Sequence, residues 1–180
     1  MSPDFRHYSQ SDVPAIVELF ESVFTASEGQ DEGVLIGQLA RHLFDTTSQH
    51  DLFNYVAEQN NQIVGAIFLS RLFFDLAIDC FILAPVAVHT GYQSKGIGQA
   101  LIRYGLDQMK QAGVQAVLTY GDPRFYKKIG FQQISDKTVS PPYKLSLPGG
   151  WLGQSLNNQP IDKLNGRCAC VQALKNQAYW

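Results

Sequence analysis

In three stretches of the chain, apolar residues recur every three or four positions, which is the spacing of an amphipathic helix. The first stretch runs from Val13 to about Phe24, and the second runs from about Val34 to Phe44. A polar and acidic link, Ala26 to Gly33, separates the two. The third begins at Gly98 and ends before Gly113, because glycine favours the C-terminus of a helix. The pattern therefore predicts three long helices.

Other stretches are continuously apolar or alternate apolar and polar residues, as β-strands do. The sequence predicts strands in five of them: Phe5–Tyr8, Leu52–Glu58, Ile63–Phe74, Phe81–Val88 and Gln115–Tyr120. Asn60-Asn61 stands between the second and third of these strands and favours a tight hairpin turn. A short helix is predicted from Asp122 to Ile129, with Asp122 as its cap and Pro123 at its first position.

Beyond Phe131 the pattern is weaker. Tyr143–Leu147 and Arg167–Leu174 alternate and are predicted as the last strands, whereas the Asn- and Gln-rich segment Gly153–Gly166 is predicted as a loop. The elements together predict an α/β (α+β) fold, with a single mixed sheet of about six to seven strands flanked by helices. We expect residues 1–180 to form a single domain, with 136–180 as a C-terminal extension of it.

The junction between the strand Phe81–Val88 and the third helix carries the clearest chemical signal. It is small and polar around the pattern Gln93-x-x-Gly96-x-Gly98. The first turn of a helix has unpaired N–H groups and a partial positive charge, and glycines let a bulky anion approach the backbone. Lys95 adds a positive charge at the rim. These features predict a phosphate-binding loop.

Two familiar phosphate loops do not fit this junction. A Walker loop needs Gly-x-x-x-x-Gly-Lys-Ser/Thr, and after Gly91 and Gly96 the chain has Ile97-Gly98 where Lys-Ser/Thr should stand. The dinucleotide fingerprint Gly-x-Gly-x-x-Gly/Ala starts at Gly96, but Leu101 fills its third position. The loop is therefore expected to bind a different phosphate ligand.

The strand before the loop contains a second clue, Pro85, which has no N–H to donate to a β-ladder. A bulge at this position would leave the backbone of Val86-Ala87-Val88 free to pair with amide groups of a ligand. A phosphate-binding loop next to such a strand is the arrangement that would bind coenzyme A. Its pyrophosphate would lie at the helix and its pantetheine would lie along the strand.

Two motifs resemble those of the GNAT superfamily of N-acetyltransferases. Val-Ala-Val-x4-Gln-x-x-Gly-x-Gly-x-Ala, here Val86 to Ala100, resembles its acetyl-CoA motif. Tyr-Gly-Asp-Pro-Arg-Phe-Tyr-Lys-Lys-Ile-Gly-Phe, here Tyr120 to Phe131, resembles its segment after strand five. Gly-Asp-Pro-x-x-Tyr, with Leu-x-Pro-Val-Ala-Val upstream, is most similar to the YhbS-like branch. The resemblance covers roughly residues 4–135 and implies a GNAT fold with acetyl-CoA as cofactor.

This resemblance also implies a reaction and the residues that perform it. The reaction is acetyl-CoA-dependent N-acyl transfer to an amine of a small molecule or peptide, by direct attack in a ternary complex. Tyr126 would be the catalytic general acid that protonates the leaving thiolate. The backbone N–H of Val86 or Ala87 would donate to the acetyl carbonyl. The cofactor-binding residues would be Val86, Ala87, Val88, Gln93, Ser94, Lys95, Gly96, Ile97, Gly98, Gln99 and Tyr126.

This chain differs from the better-known family members at the position of the general base. Those that use a glutamate place it about four residues before Val-Ala-Val, where this chain has Ile82. Asp79, Glu28 or Asp122 acting through water, or no protein base at all, are the alternatives. The missing carboxylate keeps open a non-catalytic acyl-CoA-binding or sensing module. A nucleotide-binding module is a more distant alternative.

Composition narrows the partners. A net charge of −2 argues against nonspecific nucleic-acid binding. No segment is long and apolar enough to span a bilayer, and the N-terminus lacks a signal-peptide core, so no membrane partner is expected.

Three cysteines without such a signal, Cys80, Cys168 and Cys170, favour a cytoplasmic location. Neither Cys168-x-Cys170 nor the four histidines have the spacing of a metal site, so no metal is predicted. A homodimer is left open.

Overall fold

Up to residue 126 the strands and helices follow one another in the order that the hydrophobic pattern predicts. The structure is a computed structural model that describes residues 2–180, except for the side chain of Asp162. Its helices are α1 (Val13–Glu28), α2 (Gln30–Thr46), α3 (Ile97–Gln111) and α4 (Pro123–Tyr126). Its strands are β1 (Asp4–His7), β2 (Leu52–Gln59), β3 (Gln62–Phe74), β4 (Cys80–Val88), β5 (Ala116–Tyr120), β6 (Gln132–Gln133), β7 (Val139–Ser140), β8 (Trp151–Ser155) and β9 (Gly166–Cys170).

The described strands form a mixed sheet flanked by helices, which confirms the predicted fold class. Nine strands belong to it, rather than about six to seven, in the order β1-β2-β3-β4-β5-β8-β6, with β9 beside β3 and β7 beside β9. Strand β4 runs parallel to β5, whereas β1 pairs with β2 and β5 with β8 in the antiparallel sense. In the described residues no helix is both long and apolar enough to cross a membrane.

The described residues cluster into two compact units. The first contains the residues up to Phe68 together with Pro85–Gly105, and the second contains Leu69–Ala84 together with Leu106–Trp180. Strands β3 and β4 and helix α3 each contribute residues to both units. The expectation of a single domain over residues 1–180 stays a prediction.

In the first unit the sheet is covered by aromatic side chains on both faces. The Phe68 ring of β3 lies 5.3 Å from Phe20 of α1 and 4.9 Å from Phe44 of α2. From β2, the Tyr55 ring lies 5.6 Å from Tyr104 of α3. Successive residues of a strand point to opposite faces, so strands covered on both sides read as nearly continuous apolar runs. Such runs are what the sequence shows at β2, β3 and β4.

The polar link predicted from Ala26 to Gly33 is wrong, because α1 continues to Glu28 and α2 starts at Gln30. Gly29 alone makes the turn, with φ of +102°, a backbone conformation that glycine adopts without strain. The two helices then pack closely: a Cβ added at Gly33 would lie 1.8 Å from Thr25 Oγ1. Gly33, which the sequence pattern placed in a polar link, therefore lies where the two helices pack together.

In the second unit, one of the predicted last strands is wrong. Tyr143–Leu147 forms no strand, and β8 (Trp151–Ser155) pairs with β5 in its place. Trp151 is fully buried in β8, and a Cβ added at Gly153 would lie 2.9 Å from Leu118 of β5. The sequence predicted a loop from Gly153 to Gly166, but its first three residues belong to β8, because they pack and pair against β5. The other predicted strand, Arg167–Leu174, is confirmed in part as β9.

Candidate active site

The loop between β4 and α3 has the strained backbone that a phosphate-binding turn needs. Ser94 and Gly96 both have positive φ, +62° and +80° respectively. The loop from Gln93 to Gly96 is exposed, and Ile97 at the start of α3 is buried. A Cβ added at Gly96 would have no atom within 4 Å, so the glycine is required by its backbone conformation and not by crowding.

The backbone N–H groups of this loop are available to an anion. Within residues 2–180, no backbone carbonyl accepts from the N–H groups of Ser94, Lys95, Gly96 or Ile97. The Gly96 carbonyl accepts a backbone hydrogen bond from the Ala100 N–H at 3.0 Å, in the first turn of α3. N–H groups that lack a backbone acceptor at the start of a 15-residue helix fit the phosphate groups of coenzyme A.

Three side chains hold the loop in shape. Gln93 donates through Nε2 to the Val88 carbonyl at 2.9 Å, and Lys95 donates through Nζ to the Gly91 carbonyl at 2.9 Å. The Lys95 ammonium also lies 5.1 Å from the centre of the Tyr92 ring. His89 accepts through Nδ1 from the Gly91 N–H at 3.2 Å. In this structure Gln93 and Lys95 therefore brace the loop from within.

The strand residues Val86, Ala87 and Val88 lie against β3. The His89 N–H donates to the Val64 carbonyl at 2.9 Å, and Ala87 is almost fully buried. A Cβ at Gly65 would lie 3.5 Å from the Ala87 carbonyl oxygen and 3.4 Å from Leu101. Strand β4 continues through Pro85. An added Cβ at Gly65 would therefore make ordinary van der Waals contacts with β4 and α3.

The ladder between β4 and β5 is short. It joins Cys80 to Ala116, Phe81 to Val117 and Ile82 to Leu118. At the next position the fully buried Thr119 uses its side chain, donating through Oγ1 to the Leu83 carbonyl at 2.8 Å. A side-chain hydroxyl therefore bonds β5 to β4 one position beyond the end of the ladder.

Tyr126 lies at the end of α4 and is held by its neighbours in the second unit. Asp122 caps this helix, accepting from the Arg124 N–H at 2.8 Å, as the sequence predicted. The Tyr126 ring lies edge-on to Phe131, with 5.6 Å between the ring centres. A Cβ added at Gly121 would lie 2.6 Å from Tyr126 Cε2, so this ring rests on the glycine backbone.

The environment of Tyr126 keeps its hydroxyl protonated at neutral pH. Burial raises the pKa of the Tyr126 phenol, and a hydrogen bond with Thr119 acts in the opposite direction. The ordinary pKa of tyrosine is about 10, so a raised value leaves the proton in place at pH 7. A protonated phenol is the form that a general acid needs.

The candidate bases are engaged in other contacts. Asp79 forms an ion pair with Arg71, whose guanidinium also lies over the Phe81 ring. Asp122 pairs with Arg124, and its hydrogen bonds with Arg124 lower the pKa of its carboxyl group. Glu28 is exposed at the end of α1. The partial burial of Glu32 raises the pKa of the Glu32 carboxyl group, and the charge of Glu28 adds to this effect. None of these three contacts identifies Asp79, Asp122 or Glu28 as the general base.

The cysteines are free and buried. Burial is the main cause that raises the pKa of the Cys168 thiol to about 12, and it raises the pKa of Cys80 and Cys170 as well. Thiols with raised pKa values are poor nucleophiles at neutral pH. Among the residues that the structure describes, no group of three or more His, Cys, Asp or Glu side chains could hold a metal ion.

Sequence reasoning missed Thr119 and Gly121, which both contact Tyr126. Both are small residues, Thr119 lies just before the second motif, and nothing in their spacing indicates a role. Position Gly121 lies inside the Tyr120–Phe131 motif, so the motif itself was the only available signal.

Comparison with known proteins assigns the family. Residues 50–133 match the model of the acetyltransferase (GNAT) domain. The uncharacterised N-acetyltransferase YjhQ of Escherichia coli strain K12 is 30% identical over 173 residues, which cover 93% of this chain and 91% of YjhQ. The chain therefore belongs to the GNAT acetyltransferase family.

Solved structures agree on the fold. The GNAT family N-acetyltransferase YhbS from Escherichia coli, solved in complex with CoA, matches with a TM-score of 0.83 and 20% identity, over 98% of this chain and 93% of that one. A GNAT family acetyltransferase from Brucella melitensis, in complex with acetyl-CoA, matches with a TM-score of 0.71 and 23% identity, over 95% of this chain and 97% of that one. The predicted GNAT fold is confirmed, and both bound ligands are consistent with the predicted cofactor.

Proposed function

We propose that this protein is an acetyl-CoA-dependent N-acyltransferase that acetylates an amine of a small molecule or peptide in a ternary complex. The observation that carries the proposal is the loop from Ser94 to Ile97, whose N–H groups have no backbone acceptor within residues 2–180 and whose first three residues are exposed. CoA and acetyl-CoA in two structural neighbours support the same cofactor. Acetyl-CoA supplies the thioester from which the acetyl group is transferred.

The binding role falls to the backbone of the loop. The N–H groups from Ser94 to Gly98 would donate to the pyrophosphate, assisted by the positive end of the α3 dipole. Val86, Ala87 and Val88 would pair with the pantetheine amides, and the Val86 or Ala87 N–H would stabilise the acetyl carbonyl oxygen. Side-chain substitutions at these positions are therefore expected to matter less than changes of backbone conformation.

The catalytic role is assigned to Tyr126. Its hydroxyl would give a proton to the sulfur that leaves as the amine attacks, and its raised pKa keeps that proton available at pH 7. Because Asp79 and Asp122 are held in ion pairs, we propose that the acceptor loses its proton to water or arrives as the neutral amine. Activity would then rise with pH until the acceptor amine is deprotonated.

We further propose that the protein works in the cytoplasm. Its three cysteines are free and buried, which suits a reducing compartment. A homodimer stays a prediction.

The cofactor assignment is tested first, by calorimetric titration of the purified protein with acetyl-CoA and, as the control, with ATP. Saturable binding of acetyl-CoA without heat from ATP is the expected result. Binding of ATP alone would favour the nucleotide-binding alternative, and binding of neither would end the assignment of the loop.

The reaction is tested by measuring coenzyme A release with a panel of amines, for wild type and Tyr126→Phe. Loss of a general acid is expected to lower kcat about 10²- to 10⁴-fold while binding of acetyl-CoA is kept. Acetyl-CoA binding without turnover on any amine would favour the sensing module instead. The pairing of Asp79 and Asp122 with arginines is the observation that keeps this second candidate in view.

A further inference from the structure

The phenol of Tyr120 joins the end of β5 to the turn 146–150, which directly precedes β8. Its Oη accepts from the Leu147 N–H at 2.7 Å and lies 2.8 Å from Ser146 Oγ. The Ser146 hydroxyl in turn donates to the main-chain oxygen of Trp180 at 3.3 Å. These residues form one chain of hydrogen bonds, and all of them belong to the second compact unit.

The number of hydrogens fixes the direction of this chain. A serine or tyrosine hydroxyl has one hydrogen to donate and can also accept. Because the hydrogen of Ser146 goes to Trp180, Tyr120 is the donor in the bond between the two hydroxyls. Removal of the Tyr120 hydroxyl would therefore leave the Leu147 N–H without its acceptor and Ser146 without its donor.

The far end of the chain of hydrogen bonds is anchored in the core. Trp180 is buried, its ring centre lies 6.2 Å from that of Trp151, and its Nε1 donates to the Leu174 carbonyl at 3.1 Å. Gln177 donates through Nε2 to the Lys144 carbonyl at 2.7 Å, just before the turn. The turn is thus tied to a distant segment of the chain that is itself packed in the core.

The other end of the turn reaches the glycine beside the Tyr126 ring. The Gly150 N–H donates to the Leu147 carbonyl at 2.8 Å, and the Gly150 carbonyl accepts from the Gly121 N–H at 3.0 Å. A Cβ added at Gly150 would lie 2.9 Å from the Gly121 carbonyl oxygen and 3.1 Å from Tyr120 Cε2. A Cβ added at Gly121 would lie 2.6 Å from Tyr126 Cε2. In such close packing, a shift of the turn displaces its neighbours.

We propose that Tyr120 is a positioning residue for Tyr126. Its hydroxyl fixes the turn 146–150, and the turn fixes the Gly121 backbone beside the Tyr126 ring. This inference rests on the proposed function, in which Tyr126 gives its proton to the leaving sulfur. Tyr120 takes no part in that proton transfer, because its own hydrogen is donated to Ser146. It acts by placing the acid, since a displacement of about 1 Å lowers a rate by up to about 100-fold.

The first test removes the hydroxyl and keeps the ring. We expect Tyr120→Phe to lower kcat about threefold to tenfold, the range of one hydrogen bond. KM for acetyl-CoA should stay unchanged, because the loop assigned to this cofactor, from Ser94 to Gly98, belongs to the other unit. KM for the acceptor amine should stay unchanged as well. Coenzyme A release measures all three constants.

Tyr143→Phe is the matched control, because it keeps the ring that stacks on Trp180 and removes a hydroxyl outside the chain of hydrogen bonds. It should retain wild-type kcat. Equal kcat values for Tyr120→Phe and Tyr143→Phe would overturn the proposal. A raised KM for the acceptor with unchanged kcat in Tyr120→Phe would also overturn it, because the turn would then contact the acceptor instead of placing the acid.

A double-mutant cycle separates positioning from general packing. In a Tyr126→Phe background there is no acid to place, so adding Tyr120→Phe should change kcat by less than about twofold. An equal loss in both backgrounds would show a merely structural role and end the proposal. Full turnover of Tyr126→Phe would overturn the proposed function, whereas impaired Tyr126→Phe with normal Tyr120→Phe would overturn only this inference.

A readout without turnover follows the Gly121 amide by hydrogen exchange, measured by NMR. Its N–H is bonded to the Gly150 carbonyl, so it exchanges only when that contact opens. We expect exchange at Gly121 to be about threefold to tenfold faster in Tyr120→Phe. The Leu156 amide, bonded to the Gln115 carbonyl at 2.9 Å, should keep its rate. Unchanged exchange at Gly121, or equal acceleration at both amides, would contradict the proposal.

Discussion

The position of the Tyr126 ring depends on the absence of a side chain at Gly121. A Cβ added at this glycine would lie 2.6 Å from Cε2 of the Tyr126 ring and 3.4 Å from Cδ2. Aromatic atoms do not approach a methyl group that closely, so either the ring or the β5–α4 turn must move. A single methyl group at this position would thus act on a hydroxyl that it does not touch.

We predict that Gly121→Ala lowers kcat by about 10²-fold, the effect of displacing a reacting group by about 1 Å. Overpacking should also cost about 1–3 kcal/mol of stability. Coenzyme A release and thermal unfolding measure the two effects.

Gly149→Ala is the matched control for this prediction, because the added Cβ would meet only Gln133 Nε2, at 3.8 Å. That control should keep wild-type turnover. If Gly121→Ala and Gly149→Ala had the same kcat, the ring contact would have no part in catalysis.

At the scale of elements, the loop before α3 depends on a backbone conformation that most residues avoid. Ser94 and Gly96 have positive φ angles within the stretch whose N–H groups have no backbone acceptor in residues 2–180. Positive φ costs a residue with a Cβ roughly 1–2 kcal/mol, whereas glycine adopts it freely. The cofactor loop is therefore expected to be sensitive to Gly96 even though its Cα faces open space.

We predict that Gly96→Ala weakens binding of acetyl-CoA by about tenfold, since the strain of roughly 1–2 kcal/mol favours other loop conformations. Gly91→Ala is the control from the same loop, because its φ is not positive and its nearest side-chain atom, His89 Nδ1, lies at 3.5 Å. Calorimetric titration of both variants measures the difference. Equal affinities would show that the loop binds without this conformation.

At the scale of the whole molecule, stability in acid depends on an ion-pair network in the first unit. Arg6 of β1 donates to Asp12 before α1 and to Glu58 of β2. The hydrogen bond with Arg6, as the largest cause, lowers the pKa of Asp12 from 3.8 to about 2. A carboxyl group that is more acidic in the folded state stabilises the fold above its unfolded pKa.

We predict that Asp12→Asn lowers the free energy of unfolding by about 1 kcal/mol at pH 7, a value discounted for solvent screening because Arg6 is partly exposed. The difference from wild type should shrink as pH falls from 3.8 towards 2, because Asp12 becomes protonated in both states. Urea unfolding at several pH values measures it.

Asp4→Asn, at an exposed residue of β1, is the control and should leave unfolding unchanged at each pH. A difference between Asp12→Asn and wild type that persisted below pH 2 would assign the effect to something other than the charge of Asp12.

Much of this protein follows from its sequence, because the features concerned are local. Asn60-Asn61 forms the predicted hairpin turn, with φ of 53° and 59°, since asparagine tolerates this conformation. Asp122-Pro123 starts α4 and Gly130 ends the following turn with φ of +99°, because caps depend on neighbours a few residues away. Likewise, the two positive φ angles of the α3 loop lie within the glycine motif that predicted it.

Only the tertiary structure decided the features that join distant segments. Strand β8 was missed because Gly153 and its neighbours favour a strand only once Leu118 is packed against them. The single-residue turn at Gly29 depends on the close packing of α1 and α2, which the sequence does not display. The contacts of Thr119 with Leu83 and Tyr126 likewise join three elements. The preferences for turns and helix caps depend on neighbouring residues, so they can be predicted from the sequence. These contacts form only when burial brings distant segments together.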